Sequence, residues 1–505
     1  MAEIHIKNFF AVLVVLVYWS RCLAGAVRAC LDRATEQGRD LMNRFASPVS
    51  VSIAILAVAL LSSGLAYASA ASPALDLTAN WAGMLSLLIF VAAYVLVVFE
   101  EPLRLRKSKP VMLAAGIIWL LIGIAYTGAG KSDDAQLLAK GIIEEFAELF
   151  LFLLVAITYV NTLEERRVFD VLRARLVSMG LSYRFLFWLT GIAAFFLSSV
   201  LDNLTTALVM GAVVLAIGTG SRAFVAIACI NIVVAANAGG AFSPFGDITT
   251  LMVWQKGKLS FWEFFALFLP SLINLIVPAT LMHFAIPKGM PEQAAGRLVM
   301  KPGARGVMLL FAATIFTAVS FKNFLHLPPA LGMMLGLGYL QIWSYILQRR
   351  GKRRNNADMV LDSFAQVQRV EWDTLLFFFG IIFAVGGLGV IGYLAEASQY
   401  LYAGLGPTQA NIIIGVLSAI VDNIPLMFAV LTMNPQMSDG QWLLITLTCG
   451  VGGSMLSIGS AAGVALMGQA KGLYTFSSHL KWSWAVALGY AASILTHLFV
   501  NARLF

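Results

Sequence analysis

The chain has 505 residues, of which 60% are hydrophobic and only 12% are charged. Soluble domains carry about 25% charged residues, so this composition excludes an ordinary soluble protein and predicts an all-α polytopic membrane protein. Alternating strand patterns are absent, which disfavours a transmembrane barrel. The net charge of +8 lies in short loops, where it indicates orientation. We therefore expect the lipid bilayer, and no nucleic acid, as a partner.

The cysteine and histidine residues predict neither a disulfide framework nor a metal site. Cys22, Cys30, Cys229 and Cys449 show no paired spacing, and the five histidines are scattered along the chain. No Ser/Lys, Ser/His or His-x-x-x-His pairing lies within the apolar segments. We therefore expect a transporter rather than an enzyme, with no catalytic residues and no cofactor.

The N-terminal part of the chain leaves several alternatives open. Residues 1–47 form an extension whose short apolar stretch and following arginines fit a first span, an interfacial helix or an upstream addition. Residues 48–140 are expected to hold the N-terminal transmembrane helices. Within them, residues 48–70 end in small residues like a signal peptide, although the long apolar run favours an ordinary transmembrane helix.

Clusters of basic residues orient the predicted spans, because cytoplasmic loops are enriched in Lys and Arg. Such clusters recur near residues 104–109, 166–184, 288–305 and 349–369. The first comprises Arg104, Arg106, Lys107 and Lys109. All four loops are predicted to be cytoplasmic, and the loops around residues 128–138 and 256–258 are then external.

Two segments of the chain resemble each other although this orientation makes them run in opposite directions. The segment that starts at Glu148 (ELFLFLLV) is similar to the one that starts at Asp373 (DTLLFFFG), and an Asp-Asn pair follows each. We therefore predict two repeats of inverted topology, residues 141–286 and 371–505. Residues 287–370 are predicted to hold linker loops and connecting transmembrane helices.

Each predicted repeat contains a glycine-rich segment after its Asp-Asn pair. These segments are Asn237–Thr250 (NAGGAFSPFGDITT) and Gly450–Ser460 (GVGGSMLSIGS), and aligning their glycines places Asp247 opposite Ser460. Non-helical backbone at membrane depth must be buried in protein or line a wet cavity. We therefore predict that each glycine-rich segment forms a re-entrant hairpin or half-helices. We favour a broken helix at each Asp-Asn pair and a re-entrant hairpin at each glycine-rich segment.

The two Asp-Asn pairs are the strongest functional signal in the sequence. An ionised carboxylate at membrane depth costs several kcal/mol unless it is paired or hydrated, so it marks a functional site by default. Asp202 and Asp422 have hydroxyl and amide neighbours but no adjacent base, which suits Na⁺. A desolvated carboxylate binds either a proton or a cation, which couples the two fluxes under alternating access. Asn203 and Asn423 are expected to cap or bridge freed backbone groups at the break.

Other polar residues are weaker candidates. Asp247, with Thr249 and Thr250, lies in a breaker-rich segment, which favours a functional role. Glu148 and Asp373 are predicted to start their helices, where the helix dipole explains an acidic residue equally well. Glu371 is expected closer to water, and Asn237 is a site candidate because glycines follow it.

Three motifs together resemble the NhaD family of bacterial Na⁺/H⁺ antiporters, which is related to the arsenite permeases. They are Asp202–Thr206 (DNLTT), Asn237–Thr250 and Asp422–Pro425 (DNIP), within a resemblance over roughly residues 80–503. The resemblance implies electrogenic exchange of Na⁺ or Li⁺ for H⁺ across the bacterial inner membrane by a homodimer. The family pattern does not extend to the residues before 48.

The resemblance also implies which polar side chains matter for activity. Those for ion and proton binding are Asp202, Asn203, Thr205, Asn237, Asp247, Thr249, Thr250, Ser418, Asp422, Asn423, Ser457 and Ser460. Supporting residues are Glu148, Glu371 and Asp373. We expect the Na⁺ to lie between Asp202 and Asp422, closer to the first because hydroxyl groups follow it.

Two alternatives stay open at this point. An anion permease for arsenite or a dicarboxylate could use the same scaffold, although an anion site prefers basic residues or exposed helix N-termini at the breaks. Neither Asp-Asn stretch contains a basic residue, which disfavours carboxylates more than a neutral oxyacid. A passive cation channel is the other alternative, and its flux would not depend on a pH gradient.

Overall fold

The computed structural model describes residues 75–98, 100, 105–178, 180–218, 221–290 and 298–505, which belong to one compact unit, Ala74–Phe505. The predicted extension 1–47 and the signal-like segment 48–70 lie outside the described residues. Every regular element among the described residues is helical. Eight helices in this part of the chain are long and apolar enough to cross a membrane, which confirms the all-α polytopic class.

We number the α-helices in chain order. They are α1 (Trp81–Val98), α2 (Ser108–Gly128), α3 (Ser132–Glu165), α4 (Val168–Ser178), α5 (Tyr183–Ser198), α6 (Asn203–Ile217), α7 (Arg222–Ala241), α8 (Ile248–Gln255), α9 (Phe268–His283), α10 (Ala304–Leu325), α11 (Pro329–Arg354), α12 (Ser363–Gln368), α13 (Trp372–Ile391), α14 (Tyr393–Ser398), α15 (Pro407–Leu417), α16 (Asn423–Met433), α17 (Asp439–Gly452), α18 (Ala461–Ala470), α19 (Phe476–Leu480) and α20 (Ser483–Val500). Short 3₁₀ or π turns lie at Glu263–Leu267, Ala357–Met359, Gln399–Gly404 and Ala502–Leu504.

Helix α3 begins earlier than the sequence suggests. It starts at Ser132 and carries Asp133 and Asp134 in its first turn, where carboxylates interact favourably with the helix dipole. Glu148 therefore lies in the middle of a 34-residue helix, and the predicted helix start beside it is wrong. The dipole explains the two aspartates of the first turn but does not explain Glu148.

Helices α5 and α6 form a hairpin with the first Asp-Asn pair at its tip. They have 16 and 15 residues, so each is shorter than a typical membrane span of about 20 residues. The ring of Tyr183, at the start of α5, lies 4.6 Å from that of Phe224, at the start of α7. Because α7 follows directly after α6, the chain enters along α5 and returns along α6.

Helices α15 and α16 form a second hairpin, with Asp422 at its tip. Near the start of α15, Asn411 Nδ2 donates to Gln441 O at 3.0 Å, and Thr408 Oγ1 accepts from Gln441 Nε2 at 2.6 Å. Gln441 lies in the first turn of α17, which follows α16. The entry and the exit of the second hairpin are therefore adjacent, as in the first.

The glycine-rich segments are breaks between successive helices rather than hairpins. The first separates α7 from α8 and the second separates α17 from α18. The favoured assignment is therefore wrong, because the hairpins carry the Asp-Asn pairs. The glycine-rich segments interrupt the helices that follow, which agrees with the alternative of half-helices. Two short apolar helices joined by a polar link have the same sequence pattern whether the chain continues or reverses. Only the tertiary contacts distinguish the two cases.

The two hairpins enter from opposite ends of the helix bundle. The first opens beside Gly289, whose carbonyl accepts from the Tyr183 amide at 3.1 Å. The second opens near Lys258, whose ammonium donates to Asn434 Oδ1 at 2.5 Å, directly after α16. Helix α9 runs from the Lys258 end to the Gly289 end and so separates them. This arrangement agrees with inverted repeats, which remain a prediction.

Equivalent contacts hold the tip of each hairpin against the helix that follows the hairpin in the chain. Ser198 Oγ donates to Ala236 O at 2.6 Å, and Ser418 Oγ donates to Cys449 O at 2.8 Å. A methyl group added at Gly452 would lie 2.0 Å from a backbone oxygen of α15, and Gly239 makes the matching approach to α5. In addition α6 packs on α18, α16 packs on α8, and α7 packs on α17 at the centre.

Candidate functional site

The aspartates of the two Asp-Asn pairs cap the returning helices of their hairpins. Asp202 accepts from the Thr205 amide at 2.8 Å and from Thr205 Oγ1 at 2.7 Å. Asp422 accepts from the Ile424 amide at 3.2 Å. A carboxylate at this position satisfies free backbone N–H groups and interacts favourably with the helix N-terminus. Each aspartate is only partly buried.

The asparagines do not cap the helices, contrary to the prediction, and instead meet at the centre of the molecule. Asn203 Nδ2 donates to Asp247 Oδ2 at 2.9 Å, and Asn423 Nδ2 donates to the same oxygen at 3.2 Å. The aspartates already occupy the capping position, so the amides are free to point inward. One carboxylate oxygen of Asp247 therefore joins the tips of both hairpins.

Asn237 and Ser460 extend this cluster to the second helix break. Asn237 Oδ1 accepts from Asn203 Nδ2 at 3.1 Å and from Ser460 Oγ at 3.0 Å. Asp247 itself caps α8, where its Oδ1 accepts from the Thr249 amide at 3.0 Å. Both hairpin tips and both breaks thus meet in one hydrogen-bonded group. We call Asn203, Asn237, Asp247, Asn423 and Ser460 the central cluster.

A cavity of about 130 Å³ adjoins the central cluster. Such a volume holds several water molecules, and polar groups line it. The side chains around it include all three aspartates of the motifs, together with one further carboxylate and one base. These lining residues are Asp202, Asp247, Asp422, Glu371 and Lys107. The carboxylates outnumber the base, so the cavity favours a cation over an anion.

Lys107 is a site residue that the sequence did not reveal. Its ammonium lies 3.8 Å from Asp422 Oδ2 and 4.4 Å from the centre of the Phe377 ring. In the sequence it is one of several basic residues of a loop predicted to be cytoplasmic and indicates only orientation. Because 315 residues separate it from Asp422, no local pattern connects the two.

Two predicted site residues have their hydroxyls engaged in structural contacts. Thr250 Oγ1 donates to Asp247 O at 2.6 Å, which closes the first break. Ser457 Oγ lies 2.7 Å from Tyr474 OH, which in turn lies 2.7 Å from His479 Nδ1. Ser457 has a φ of 67°, a strained value for a residue with a side chain, and this buried chain of hydrogen bonds holds it there. The hydrogen bonds of both residues therefore stabilise the non-helical backbone of the two helix breaks.

The predicted supporting residues lie at three different places. Glu371 lines the central cavity and accepts from Thr374 Oγ1 at 3.1 Å. Asp373 accepts from Ser108 Oγ at 2.5 Å and joins α13 to α2. Glu148 lines a separate cavity of about 370 Å³, together with Glu144, Glu145 and Lys256.

The donor groups of the cavity suit a hard monovalent cation. Within the described part of the chain, no three or more His, Cys, Asp or Glu side chains are grouped so that they could hold a metal ion. A cation here would bind carboxylate oxygens together with amide, hydroxyl and carbonyl oxygens. Thr249 is fully buried next to Asp247 but does not line the cavity.

Comparison with known proteins identifies the family. The model of the citrate transporter family (CitMHS) matches residues 10–450. The chain is 54% identical over 458 residues to the Na⁺/H⁺ antiporter NhaD of Alkalimonas amylolytica, covering 87% of this chain and 95% of that protein. The chain belongs to the NhaD Na⁺/H⁺ antiporter family. It is also 53% identical to NhaD of Halomonas elongata over 465 residues, covering 88% and 94%.

Membership of the NhaD family confirms the resemblance that the three motifs indicated. Eight long apolar helices lie within the described residues, and the chain is a multi-pass bacterial membrane protein of a family of secondary transporters. The three NhaD motifs meet in the central cluster, because each of them contributes one of Asn203, Asp247 and Asn423.

Proposed function

We propose that the protein exchanges Na⁺ or Li⁺ for H⁺ across the bacterial inner membrane by alternating access. Membership of the NhaD family supports the exchange of a cation for a proton. The observation that supports the site is the single oxygen of Asp247 that accepts from an asparagine of each hairpin. A group that joins both repeats is the natural place to couple ion binding to their relative movement.

In this proposal the cation binds in the central cavity, where Asp202, Asp247 and Asp422 face the same space. Sodium and protons compete for these carboxylates because each neutralises the same negative charge. When the cavity faces the alkaline side, protons leave and a cation enters. When it faces the other side, protons displace the cation.

The proposed movement is that of the hairpins against the interrupted helices. Each tip rests on a break through small residues and few hydrogen bonds, and α6 and α16 pack on the half-helices of the opposite repeat. Because the two hairpins enter from opposite ends, moving one tip away opens the cavity to one side only. A cation that joins Asp247 to both asparagines favours the closed arrangement between the two open ones.

Transport of a carboxylate anion is the main alternative, since the citrate transporter family model matches this chain. The cavity disfavours it, because one lysine stands against four carboxylates along its walls. An anion such as citrate would add to this excess of negative charge. Helices α6, α8, α16 and α18 begin at the cavity wall, and the carboxylates of Asp202, Asp247 and Asp422 cap the first three of them.

The proposal is tested with purified protein in liposomes. A pH gradient is established, NaCl or LiCl is added, and a pH-sensitive dye reports exchange. We expect the wild type to dissipate the gradient on addition of either salt but not of potassium citrate. Asp202→Asn and Asp422→Asn are expected to lose most of this activity while eluting as monodisperse protein. Wild-type exchange in both variants would refute the site, and cation flux that does not depend at all on the pH gradient would indicate a channel.

A further inference from the structure

The surroundings of Asp202 and Asp422 differ in one charged group. Thr205 donates to both carboxylate oxygens of Asp202, which forms no ion pair with any described residue. Asp422 Oδ1 accepts from the Ile424 amide, and its Oδ2 faces the ammonium of Lys107 at 3.8 Å. We propose that Lys107 is a built-in cation that occupies Asp422 when Na⁺ is absent and competes with Na⁺ for it. This inference rests on the proposed function.

The position of Lys107 is fixed by its neighbours rather than by Asp422 alone. The ammonium lies over the Phe377 ring of α13, a favourable cation–π contact. The next residue, Ser108, donates to Asp373 on the same helix, and α2 packs along α13 over a long interface. Lys107 is therefore held at the cavity wall and needs only to change the direction of its flexible end to reach or leave Asp422.

The chemistry of lysine makes it a competitor rather than a ligand. An ammonium has three donors and no acceptor, so it cannot coordinate Na⁺. Two cations that share one carboxylate repel each other, so an arriving Na⁺ must displace the ammonium. When the ion leaves, the ammonium returns and keeps Asp422 from remaining as an unpaired charge inside the protein. The side chains of Lys107 and Asp422 are 21% and 17% exposed, so solvent weakens the pair and it can open.

Kinetics of Na⁺/H⁺ exchange in liposomes at alkaline pH test this inference through the KM for Na⁺. In Lys107→Met we expect KM to fall about five-fold, because the competitor is gone, while Vmax does not rise. Lys107→Arg keeps the charge and should keep the wild-type KM. Lys109→Met is the matched control, because Lys109 belongs to the same basic segment but its side chain is exposed. Its KM should equal that of the wild type.

A chemical variant provides a second measurement that does not depend on the stability of Lys107→Met. Lys107→Cys is made in a chain with Cys22 and Cys30 changed to Ser, since Cys229 and Cys449 are buried. Reaction with 2-aminoethyl methanethiosulfonate restores an ammonium at nearly the length of lysine. We expect this reagent to return the KM to the wild-type value and methyl methanethiosulfonate, which adds no charge, to leave it low.

The outcomes separate this inference from the proposed function. Wild-type exchange with an unchanged or higher KM in Lys107→Met, and no difference between the two reagents on Lys107→Cys, overturns the role of Lys107 alone. Absence of any Na⁺-dependent or Li⁺-dependent exchange by the wild type overturns the proposed function and this inference with it.

Discussion

The two hairpins share the same backbone and serine contacts but differ in the side chains near the cavity. In both, a serine before the aspartate binds a carbonyl of the following helix, and glycines bring backbone into contact with backbone. The differences lie at the centre, where the first break carries Asp247 and the second carries Ser460. The shared contacts fix the architecture, and the positions that differ decide where the charge is.

The same contrast applies to the aspartates at the tips. Thr205 follows Asp202 and supplies two hydrogen bonds to it, whereas Pro425 has the corresponding place after Asp422 and supplies none. Lys107 stands near Asp422 instead. The prediction that the hydroxyl-rich first half holds the ion more closely is compatible with this difference. Among the cavity carboxylates that form no ion pair with a described residue, Asp202 and Asp247 belong to the first half and Glu371 to the second.

The largest effect, a loss of stability, is expected at the glycines whose backbone contacts are the same in both hairpins. A methyl group added at Gly246 would lie 2.5 Å from Ser198 O, and one at Gly459 would lie 1.9 Å from Ser418 O. Backbone oxygens cannot move aside easily, so Gly246→Ala and Gly459→Ala should each lower the free energy of unfolding by about 3 kcal/mol or more. Thermal unfolding in detergent measures this. Gly450→Ala, with room for a methyl group, is the control, and a loss in only one of the pair would show that these contacts differ between the two hairpins.

The next largest effect, a loss of exchange activity, is expected at the position where the first helix break has Asp247 and the second has Ser460. Asp247→Asn keeps the size of the side chain but removes the charge at the centre, so exchange should fall about 100-fold or more. Ser460→Ala removes one hydrogen bond to Asn237 and should reduce exchange less than ten-fold. Dye-based exchange in liposomes compares the two variants. Equal losses would show that the site is symmetric rather than centred on the first repeat.

A smaller difference is expected between the two asparagines. Asn203 donates to both Asn237 and Asp247, whereas Asn423 donates to Asp247 alone and over a longer distance. A hydrogen bond to a charged group contributes about 1.5–3 kcal/mol, so Asn203→Ala should reduce exchange about ten-fold or more. Asn423→Ala should reduce it less. The reverse order of activities would contradict the assignment of Asn203 to the core of the site.

The smallest effect is expected from the hydroxyl beside Asp202. Thr205→Val retains the shape and the amide donor but removes the bond from Oγ1 to Asp202 Oδ2. Loss of one such bond should change the KM for Na⁺ by about three-fold to ten-fold and leave the melting temperature nearly unchanged. Pro425→Ala in the second hairpin is the comparison. A KM change of the same size there would mean that the hydroxyl has no special role.

Several features of this architecture follow from the sequence alone. The hydrophobic composition predicts the polytopic class, and the two Asp-Asn pairs predict where the membrane helices stop. Alignment of the glycine-rich segments places Asp247 opposite Ser460, and in the structure these residues lie in the two corresponding breaks. These predictions succeed because carboxylates and glycines are costly inside membrane helices and therefore conspicuous there.

Other features could not be predicted, because they depend on contacts between distant segments. Whether the chain reverses at Asp202 is settled by the contact of Tyr183 with Phe224. Lys107 reaches Asp422 only because α2 packs along α13. In the sequence, an asparagine next to an aspartate is as good a helix cap as its neighbour, and only the fold shows that the aspartate caps while the asparagine binds Asp247.

The most direct test of the central claim is equilibrium binding of ²²Na⁺ to the purified protein at alkaline pH. The wild type is compared with Asp247→Asn, after both are shown to have the same melting temperature. If the cation binds beside the carboxylate that joins the two hairpins, the wild type binds ²²Na⁺ and releases it on acidification, and Asp247→Asn binds none. Binding of ²²Na⁺ by Asp247→Asn with the affinity of the wild type would contradict the claim.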